Sequence, residues 1–203
     1  MDQHINLTLF PEEGTSNPGI AGLAYFRNFI DGPMQGRLIE AIDLQPWEHS
    51  LKRQVQQYGY RYDYKSQTID SAHWLGPLPD WIAPIAALLH LRGIARVAVD
   101  QAIVNEYLPG QGIARHTDRV SCFGETIAIL SLGSRVVMDF FHAASQKKPR
   151  LLLEPGSLLV LKGPARYEWQ HGIAARKTDR FQGNVYQRGR RISLTFRKVL
   201  SIR

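Results

Sequence analysis

From residue 97 onward the chain consists of short apolar runs separated by turn residues, and this pattern limits the possible folds most. The turns at 108–112 and 154–157 contain proline, which presets one φ angle, and glycine, which supplies another. Many short strands with regular turns indicate a barrel or sandwich. We predict about eight strands, near 97–108, 113–117, 126–132, 135–141, 150–154, 157–162, 166–172 and 191–199.

The first part of the chain, to about residue 95, has a mixed pattern. Asp31 is a suitable helix cap, and proline in a first turn is tolerated because its missing N–H has no helical partner there. We predict an irregular lead-in over 1–22, a strand over 23–30, a helix from the Asp31 cap to about Ile42, a tyrosine-rich strand over 53–64, a loop over 71–80 and a helix over 81–93 that Gly93 ends.

Composition bounds the class of protein. With 203 residues, 44% hydrophobic and 21% charged, the chain can bury a sizeable core, and we expect one domain over 1–203. The one cysteine, Cys122, excludes an internal disulfide and suits a reducing compartment. No run approaches the ~18 apolar residues of a membrane span, and the N-terminus lacks signal-peptide features. We therefore expect a cytoplasmic protein without a membrane partner.

The charge balance favours a polyanionic partner such as nucleic acid, since the formal net charge is +7. Residues 176–203 hold nine basic residues against one acid, Asp179. Solvated surface charge is the alternative for this region, and the 176–191 segment is either a mobile nucleic-acid contact loop or a plain hairpin connection. The nine are Arg176, Lys177, Arg180, Arg188, Arg190, Arg191, Arg197, Lys198 and Arg203.

The final predicted strand, "RISLTFRKV", has one polar and one apolar face because strand side chains alternate. The polar face carries Arg191, Ser193, Thr195 and Arg197, and it faces either solvent or a polar interior. Asn105 and Tyr107 likewise share a face. If such faces converge inside a barrel, the barrel holds a polar ligand, and arginine favours a carboxylate because it binds one in a bidentate fork.

His116 and Asp118 alternate to one face of a strand end, and a distant His171 precedes a glycine. Two imidazoles and one carboxylate with open positions form the facial arrangement of non-heme Fe(II) oxygenases. An H-x-D pair alone is a weak signal. Together with the distal histidine and R-x-S-x-T-x-R on the terminal strand it becomes a strong one.

The stretches "NEYLPGQGIARHTD", "SLGSRVVMDF", "RYEWQHGI" and "RRISLTFRKV" resemble the AlkB family of Fe(II)/2-oxoglutarate dioxygenases. The resemblance covers roughly residues 50–200 and, more weakly, 20–50. Within the family the chain is similar to the branch that hydroxylates a wobble uridine in tRNA. The resemblance implies a mostly β fold, a double-stranded β-helix (jelly-roll) core over about 96–200, with N-terminal helices and a nucleotide lid within about 1–95.

The resemblance also implies roles for individual residues. His116, Asp118 and His171 would bind Fe(II), and Arg191 would pair with the distal carboxylate of 2-oxoglutarate. The remaining co-substrate residues would be Asn105, Tyr107, Ser193 and Arg197. The reaction would consume 2-oxoglutarate and O2, release succinate and CO2, and hydroxylate a substrate C–H bond, which demethylates the substrate when that carbon is an N-methyl group.

The resemblance places the substrate among nucleic-acid bases, with RNA ahead of DNA, acted on by a monomer. Val120 stands where DNA-repair members carry an acid, which argues against repair of 1-methyladenine and 3-methylcytosine. Lid aromatics at Tyr58, Tyr60, Tyr62, Tyr64 and Trp74 either stack on a base or simply pack. Arg53, Arg61 and Arg119 are candidates for phosphate contact, although solvated surface is the favoured interpretation for any single one. A hydroxylase of a protein or small molecule, and a non-enzymatic binding module, are the competing hypotheses.

Overall fold

Two antiparallel β-sheets face each other in the computed structural model, which describes residues 19–49 and 52–200. The described residues form β1 (Leu23–Phe26), α1 (Gly32–Asp43), β2 (Val55–Tyr58), a 3₁₀ turn (Ser71–His73), α2 (Ala83–Leu91), β3 (Gln101–Tyr107), β4 (Ile113–His116), β5 (Phe123–Gly133), β6 (Val136–His142), β7 (Arg150–Leu153), β8 (Leu158–Leu161), α3 (Gly163–Tyr167), β9 (Trp169–Ile173), β10 (Thr178–Phe181), β11 (Asn184–Gln187) and β12 (Arg191–Val199).

The larger sheet has six strands in the order β1-β8-β5-β12-β3-β2, and the smaller sheet has four, in the order β4-β9-β6-β7. The strands β10 and β11 form a separate hairpin. The last strand, β12, lies at the centre of the larger sheet, where Leu194 is opposite Val104 on one side and Leu130 on the other. This arrangement confirms the predicted mostly β, double-sheet fold with flanking helices.

Different elements pack on the two faces of the larger sheet. Its outer face packs against the two long helices, and the smaller sheet covers much of the other face. The strand pattern explains this, since Ile192, Leu194 and Phe196 of β12 lie in the cluster that includes the helices. That cluster also contains Leu38, Ile42, Ile82, Ile85, Leu89, Ala102, Val104 and Leu130. The cluster between the sheets contains Ile127, Ile129, Met138, Phe140, Leu159, Leu161 and Ile173.

Both predicted helices form. Asp31 caps α1, and its Oδ1 accepts a hydrogen bond from the Met34 N–H at 2.8 Å. The second helix has Pro84 in its first turn, and Gly93 follows its end with a φ of +65°. The expected lead-in over 1–22 lies largely outside the described residues, and the single-domain assignment stays a prediction. Within the described residues, no helix is long and apolar enough to cross a membrane.

The tyrosine-rich strand predicted over 53–64 is shorter than expected, because β2 ends at Tyr58. Gly59 turns the chain with a φ of +77°, and a Cβ at this position would lie 1.8 Å from the Asp100 carbonyl oxygen. The turn at Gly59 therefore ends the strand before Tyr60, Tyr62 and Tyr64. The close approach to Asp100 is a tertiary contact that the local alternation does not reveal.

Two other predicted elements also differ from the structure. The strand predicted over 166–172 begins at Trp169, because Gly163–Tyr167 forms a short helix with proline in its first turn. The segment 176–191, predicted as a loop, contains the β10–β11 hairpin, so the plain hairpin alternative describes its local structure. This raises the number of described strands after residue 97 from the predicted eight to ten.

Candidate metal and co-substrate site

His116, Asp118 and His171 meet between the two sheets, with their ligand atoms all within 4.8 Å of one another. His116 ends β4 and lies opposite His171 of β9 in the antiparallel register. Side chains directly opposite each other in such a pair share a face, so both imidazoles point into the interior. Asp118 follows β4 in the connection to β5. Two nitrogen ligands and one carboxylate form a donor set suited to Fe(II).

Both imidazoles are prepared to act as metal ligands. The Nδ1–H of His116 donates to the Ala114 carbonyl oxygen at 2.9 Å, which leaves Nε2 available for a metal. Burial lowers the pKa of His171 to about 3, and the nearby His116 acts in the same direction. His171 is therefore neutral near neutral pH, which is the form that binds metal.

Asp118 is buried and held as a carboxylate. Burial alone raises its pKa, but nearby positive charge, first that of Arg197, lowers the pKa of Asp118 well below its usual value. An Nη2 of Arg197 lies 2.5 Å from Asp118 Oδ1. Arg197, expected among the co-substrate residues, thus contacts a candidate metal ligand directly.

Arg166, which the sequence pattern did not single out, fixes the loop that carries Asp118. Its side chain is 1% exposed and donates from Nη1 to the Asp118 carbonyl oxygen at 2.6 Å. Further hydrogen bonds reach the carbonyl oxygens of Arg119, Phe123 and Gly124 at 3.3–3.4 Å. Arg166 belongs to α3, the short helix immediately before β9, so these hydrogen bonds connect the Asp118 loop to the strand that carries His171.

A cavity of about 370 Å³ opens beside the three candidate ligands. Both sheets contribute to its wall, as expected if polar strand faces converge on an interior site. The exposed lining residues Gln67, Ala114 and Arg119 mark its mouth. The larger sheet contributes Ile103, Asn105, Tyr107, Ile129, Arg191, Ser193, Thr195 and Arg197.

Arg191 is the strongest indication that the cavity holds an anion. Its side chain is buried, one Nη donates to Ser131 Oγ at 3.0 Å, and Nε has no hydrogen-bond partner in the described part of the chain. Burial lowers the pKa of Arg191 to about 10. No carboxylate of the described residues pairs with it, so a carboxylate ligand such as 2-oxoglutarate fits this unsatisfied guanidinium.

The other expected co-substrate residues surround Arg191. Tyr107 lies opposite Arg191, and Asn105 lies opposite Ser193 in the β3–β12 pair. The Arg191 guanidinium lies 5.3 Å from the centre of the Tyr107 ring. All of these side chains line the cavity, so the structure brings the expected set together.

The lid tyrosines divide into two groups. Tyr62 and Tyr64 line the cavity and pack edge to face, with their ring centres 5.2 Å apart. Tyr58 packs against Trp81 of the helical cluster, and Tyr60 packs against Trp74. Tyr58 and Tyr60 therefore match the packing alternative, because each packs against a tryptophan and neither lines the cavity.

The expected phosphate-contact residues are also dispersed. Arg53 lines the cavity and its Nε donates to Asn105 Oδ1 at 2.9 Å, while Arg119 lies at the mouth near Gln67. Arg61 instead forms an exposed ion pair with Glu48 at 3.2 Å. Val120 is 51% exposed and is not among the lining residues.

Most of the basic C-terminal segment has structural partners. Arg188 forms a bidentate pair with buried Asp179, which also accepts from Arg176. Arg190 connects Asp43 to Glu106. Lys198 contacts Asp100, and Arg191 and Arg197 face the cavity. The segment is therefore not an extended free basic surface, and Arg203 lies outside the described residues.

Comparison with protein families gives a match over residues 23–197 to the 2OG-Fe(II) oxygenase superfamily. The chain is 34% identical over 207 residues to the "Alkylated DNA repair protein ALKBH8 homolog" of Arabidopsis thaliana, covering 91% of this chain and 60% of that protein. It is 36% identical over 199 residues to the "tRNA (carboxymethyluridine(34)-5-O)-methyltransferase alkbh8" of Xenopus tropicalis, covering 88% and 32%. The chain thus spans less than two thirds of these two relatives.

A third relative is matched over most of its length. The chain is 31% identical over 195 residues to the "Alpha-ketoglutarate-dependent dioxygenase alkB homolog 7, mitochondrial" of Mus musculus, covering 89% of this chain and 88% of that protein. Among solved structures, OsALKBH1 superimposes with a TM-score of 0.61 at 16% identity, covering 87% and 96%. A prolyl-4-hydroxylase of Pseudomonas putida superimposes with a TM-score of 0.52 at 17% sequence identity, and the match covers 87% of this chain and 92% of the hydroxylase. The two structures show a shared fold.

Proposed function

The chain belongs to the 2OG-Fe(II) oxygenase superfamily as an AlkB-type dioxygenase of the ALKBH8-like branch, and we propose that it hydroxylates or oxidatively demethylates a nucleic-acid base, with RNA favoured over DNA. Its cofactors are Fe(II) and O2, with 2-oxoglutarate as co-substrate. The observation that carries the proposal is the unsatisfied, buried Arg191 in the same cavity as the His116, Asp118 and His171 cluster.

In this proposal the three clustered side chains hold the iron. Arg197 keeps Asp118 ionised and oriented, and the Ala114 carbonyl selects the His116 tautomer with Nε2 free. When bound, Fe(II) with 2-oxoglutarate and O2 supplies the oxidant for a C–H bond, while the protein positions the reactants and limits access of water. The candidate ligands come from two different strands and a loop, and all three line the cavity in which the co-substrate would lie.

Arg191 is assigned to the distal carboxylate of 2-oxoglutarate, because its free Nε and its Nη atoms can form a bidentate fork with it. Tyr107, Asn105 and Ser193 line the same wall. Arg53 reaches Asn105 from the segment that precedes β2, so it closes this wall from the lid side. We therefore reassign Arg53 from phosphate contact to the co-substrate end of the cavity.

A base is proposed to enter between Gln67, Ala114 and Arg119. Aromatic side chains stack on unpaired bases of any sequence, and Tyr62 and Tyr64 present two rings just inside this mouth. Arg119 is positioned to contact a phosphate. RNA is favoured because the Xenopus relative, which is named for tRNA, matches 88% of the length of this chain. That Val120 is not acidic supports a substrate other than 1-methyladenine or 3-methylcytosine.

The proposal also covers the binding partner, the oligomeric state and the cellular location. The partner is single-stranded or tRNA-like RNA, or DNA, bound by a monomer. A cytoplasmic location is supported by the single cysteine, which suits a reducing compartment.

Succinate release tests the proposed use of the cavity. Purified protein given Fe(II), 2-oxoglutarate and O2 is expected to release succinate faster when a nucleic-acid substrate is present. His116→Ala and Asp118→Ala are expected to abolish release, whereas Arg61→Ala, outside the cavity, retains it. Release by the wild type that no RNA or DNA stimulates would instead indicate a protein or small-molecule substrate.

A further inference from the structure

The outer face of the smaller sheet carries a row of cations around an aromatic ring. The β6–β9 register places Phe141 opposite Gln170, and the same register places Asp139 opposite Gly172. These residues point away from the cavity, because neighbouring Phe140 and His171 point inward. The Arg115 guanidinium lies 4.6 Å and the Lys148 ammonium 5.7 Å from the centre of the Phe141 ring. Arg150, opposite Asp139, extends the row.

Three cations on this row have no ion-pair partner within the part of the chain that the structure describes. Arg115, Lys148 and Arg150 are exposed and form no pair with a carboxylate. One carboxylate, Asp139, lies among them, so the row keeps an excess of positive charge. By contrast, Arg176, Arg188 and Arg190 of the basic C-terminal segment have carboxylate partners.

This surface is continuous with the mouth of the cavity. Ala114 lies at the mouth, Arg115 follows it on the outside of β4, and His116 returns to the interior. β4 is the edge strand of the smaller sheet, so nothing in that sheet separates the mouth from the outer face. Glycine at 172 lets β9 approach β4 closely here, because a Cβ at this position would lie 2.9 Å from the backbone nitrogen of Arg115.

We propose that Arg115, Lys148 and Arg150 form a docking surface for the phosphates of a single-stranded nucleic acid whose target base occupies the cavity. The proposal rests on the proposed function, which supplies the base. Nucleotides flanking that base cross the β4 edge and lie on the outer face of the smaller sheet. The Phe141 ring holds Arg115 and Lys148 in place through cation–π contacts, so less side-chain freedom is lost when phosphates bind.

The salt dependence of binding to an unmodified single-stranded RNA oligonucleotide tests this surface. Each phosphate contact contributes about 0.7 to the slope of log K against log salt for single strands. Arg115→Ala and Lys148→Ala are each expected to reduce the slope by that amount, and the double variant by about twice as much. The matched control is Arg27→Ala with Arg37→Ala, which removes two exposed cations elsewhere.

The outcomes separate the surface from the proposed function. Reduced slopes in the surface variants, with 2-oxoglutarate affinity and RNA-independent succinate release unchanged, support the docking surface. Wild-type slope in the Arg115, Lys148 and double variants would overturn it while leaving base hydroxylation standing. A wild type that binds no RNA or DNA at low salt would overturn both, and binding of an acidic protein to this row would then identify a different partner.

Discussion

At Arg191 the molecule keeps a positive charge in its interior, and no carboxylate of residues 19–49 or 52–200 balances it. A buried charge of this kind destabilises the unliganded protein, and replacing such a group with an apolar one is often neutral or stabilising. Its presence is explained if a ligand supplies the missing anion. Activity and stability are therefore expected to change in opposite directions at this residue.

Arg191→Met tests that expectation. We expect the dissociation constant for 2-oxoglutarate to rise about 10- to 100-fold, which corresponds to the loss of a charged hydrogen bond. The melting temperature of the unliganded protein should stay the same or increase. Isothermal titration and thermal unfolding measure the two quantities. Arg190→Met is the neighbouring control, and it should lower stability while leaving 2-oxoglutarate affinity intact; the reverse pattern would contradict the assignment.

Arg166 offers a second residue-scale prediction, because its four carbonyl contacts hold the Asp118 loop. Arg166→Met is expected to weaken metal binding about 10- to 100-fold, the usual cost of losing a group that orients a metal ligand. Arg166→Lys should recover part of this affinity. Titration with Co(II), followed by its ligand-field spectrum, measures affinity and coordination geometry together.

The control for Arg166 is Arg188→Met, which removes another largely buried arginine that lies on the hairpin. Arg188→Met should lower stability without altering the Co(II) spectrum. Equal metal affinity in Arg166→Met and the wild type would show that these hydrogen bonds serve folding alone.

Residue identity alone predicts part of this site. Period-two alternation correctly grouped Arg191, Ser193, Thr195 and Arg197 on one face, because strand geometry is local. Arg166 carries no such signal, since its partners are backbone carbonyls 42–48 positions away in sequence. Gln67 at the mouth was missed for the same reason, because its position depends on how a turn folds back onto Arg119.

Among the elements, the β10–β11 hairpin is attached to the smaller sheet by the buried carboxylate of Asp179 and by a hydrogen bond from Arg150 to the Arg180 carbonyl oxygen at 3.2 Å. Asp179 accepts from the Val137 N–H at 3.0 Å and from Arg176 and Arg188 at 2.6–2.8 Å. Burial raises the pKa of Asp179, but the hydrogen bonds from Arg188 and Val137 and the charge of Arg188 outweigh it and lower the pKa. The hairpin is thus ordered by a buried ion pair rather than by a large apolar face.

Asp179→Asn is expected to destabilise the protein by about 3 kcal/mol, because it leaves the buried Arg188 without its counter-charge. A lowered folded-state pKa means that the stabilisation is complete above the unfolded value near 3.8 and is lost as the pH falls through the folded value. Chemical denaturation at neutral pH and in the acid range measures this. The variant should lose less stability on acidification than the wild type; an equal loss would contradict the role of Asp179.

In the tyrosine-rich segment, the end of the strand could not be predicted from local sequence. Its alternation is strand-like to residue 64, yet the chain turns at Gly59 because the Asp100 carbonyl of another element lies against it. The 163–167 helix was also missed. It is only five residues long and lies against β5 and β9, contacts that the local sequence does not reveal.

For the molecule as a whole, the position of the unpaired cations indicates a binding surface better than the net charge does. The net charge of +7 first suggested a basic C-terminal surface, but most of those cations hold the hairpin, the helix end and the cavity together. Within the part of the chain that the structure describes, Arg115 of β4 and Arg150 of β7 form no ion pair, and they lie on the smaller sheet. Fold class followed from the turn spacing, whereas the charge distribution required the three-dimensional arrangement.

The central claim, that this AlkB-type dioxygenase oxidises a base in RNA, is tested most directly by mass spectrometry of nucleosides. Total tRNA is incubated with Fe(II), 2-oxoglutarate and the purified protein, digested, and compared with a reaction using Asp118→Ala. We predict a nucleoside that gains one oxygen atom or loses a methyl group with the wild type alone. Identical nucleoside profiles in the two reactions, while the wild type still converts 2-oxoglutarate to succinate, would contradict the account.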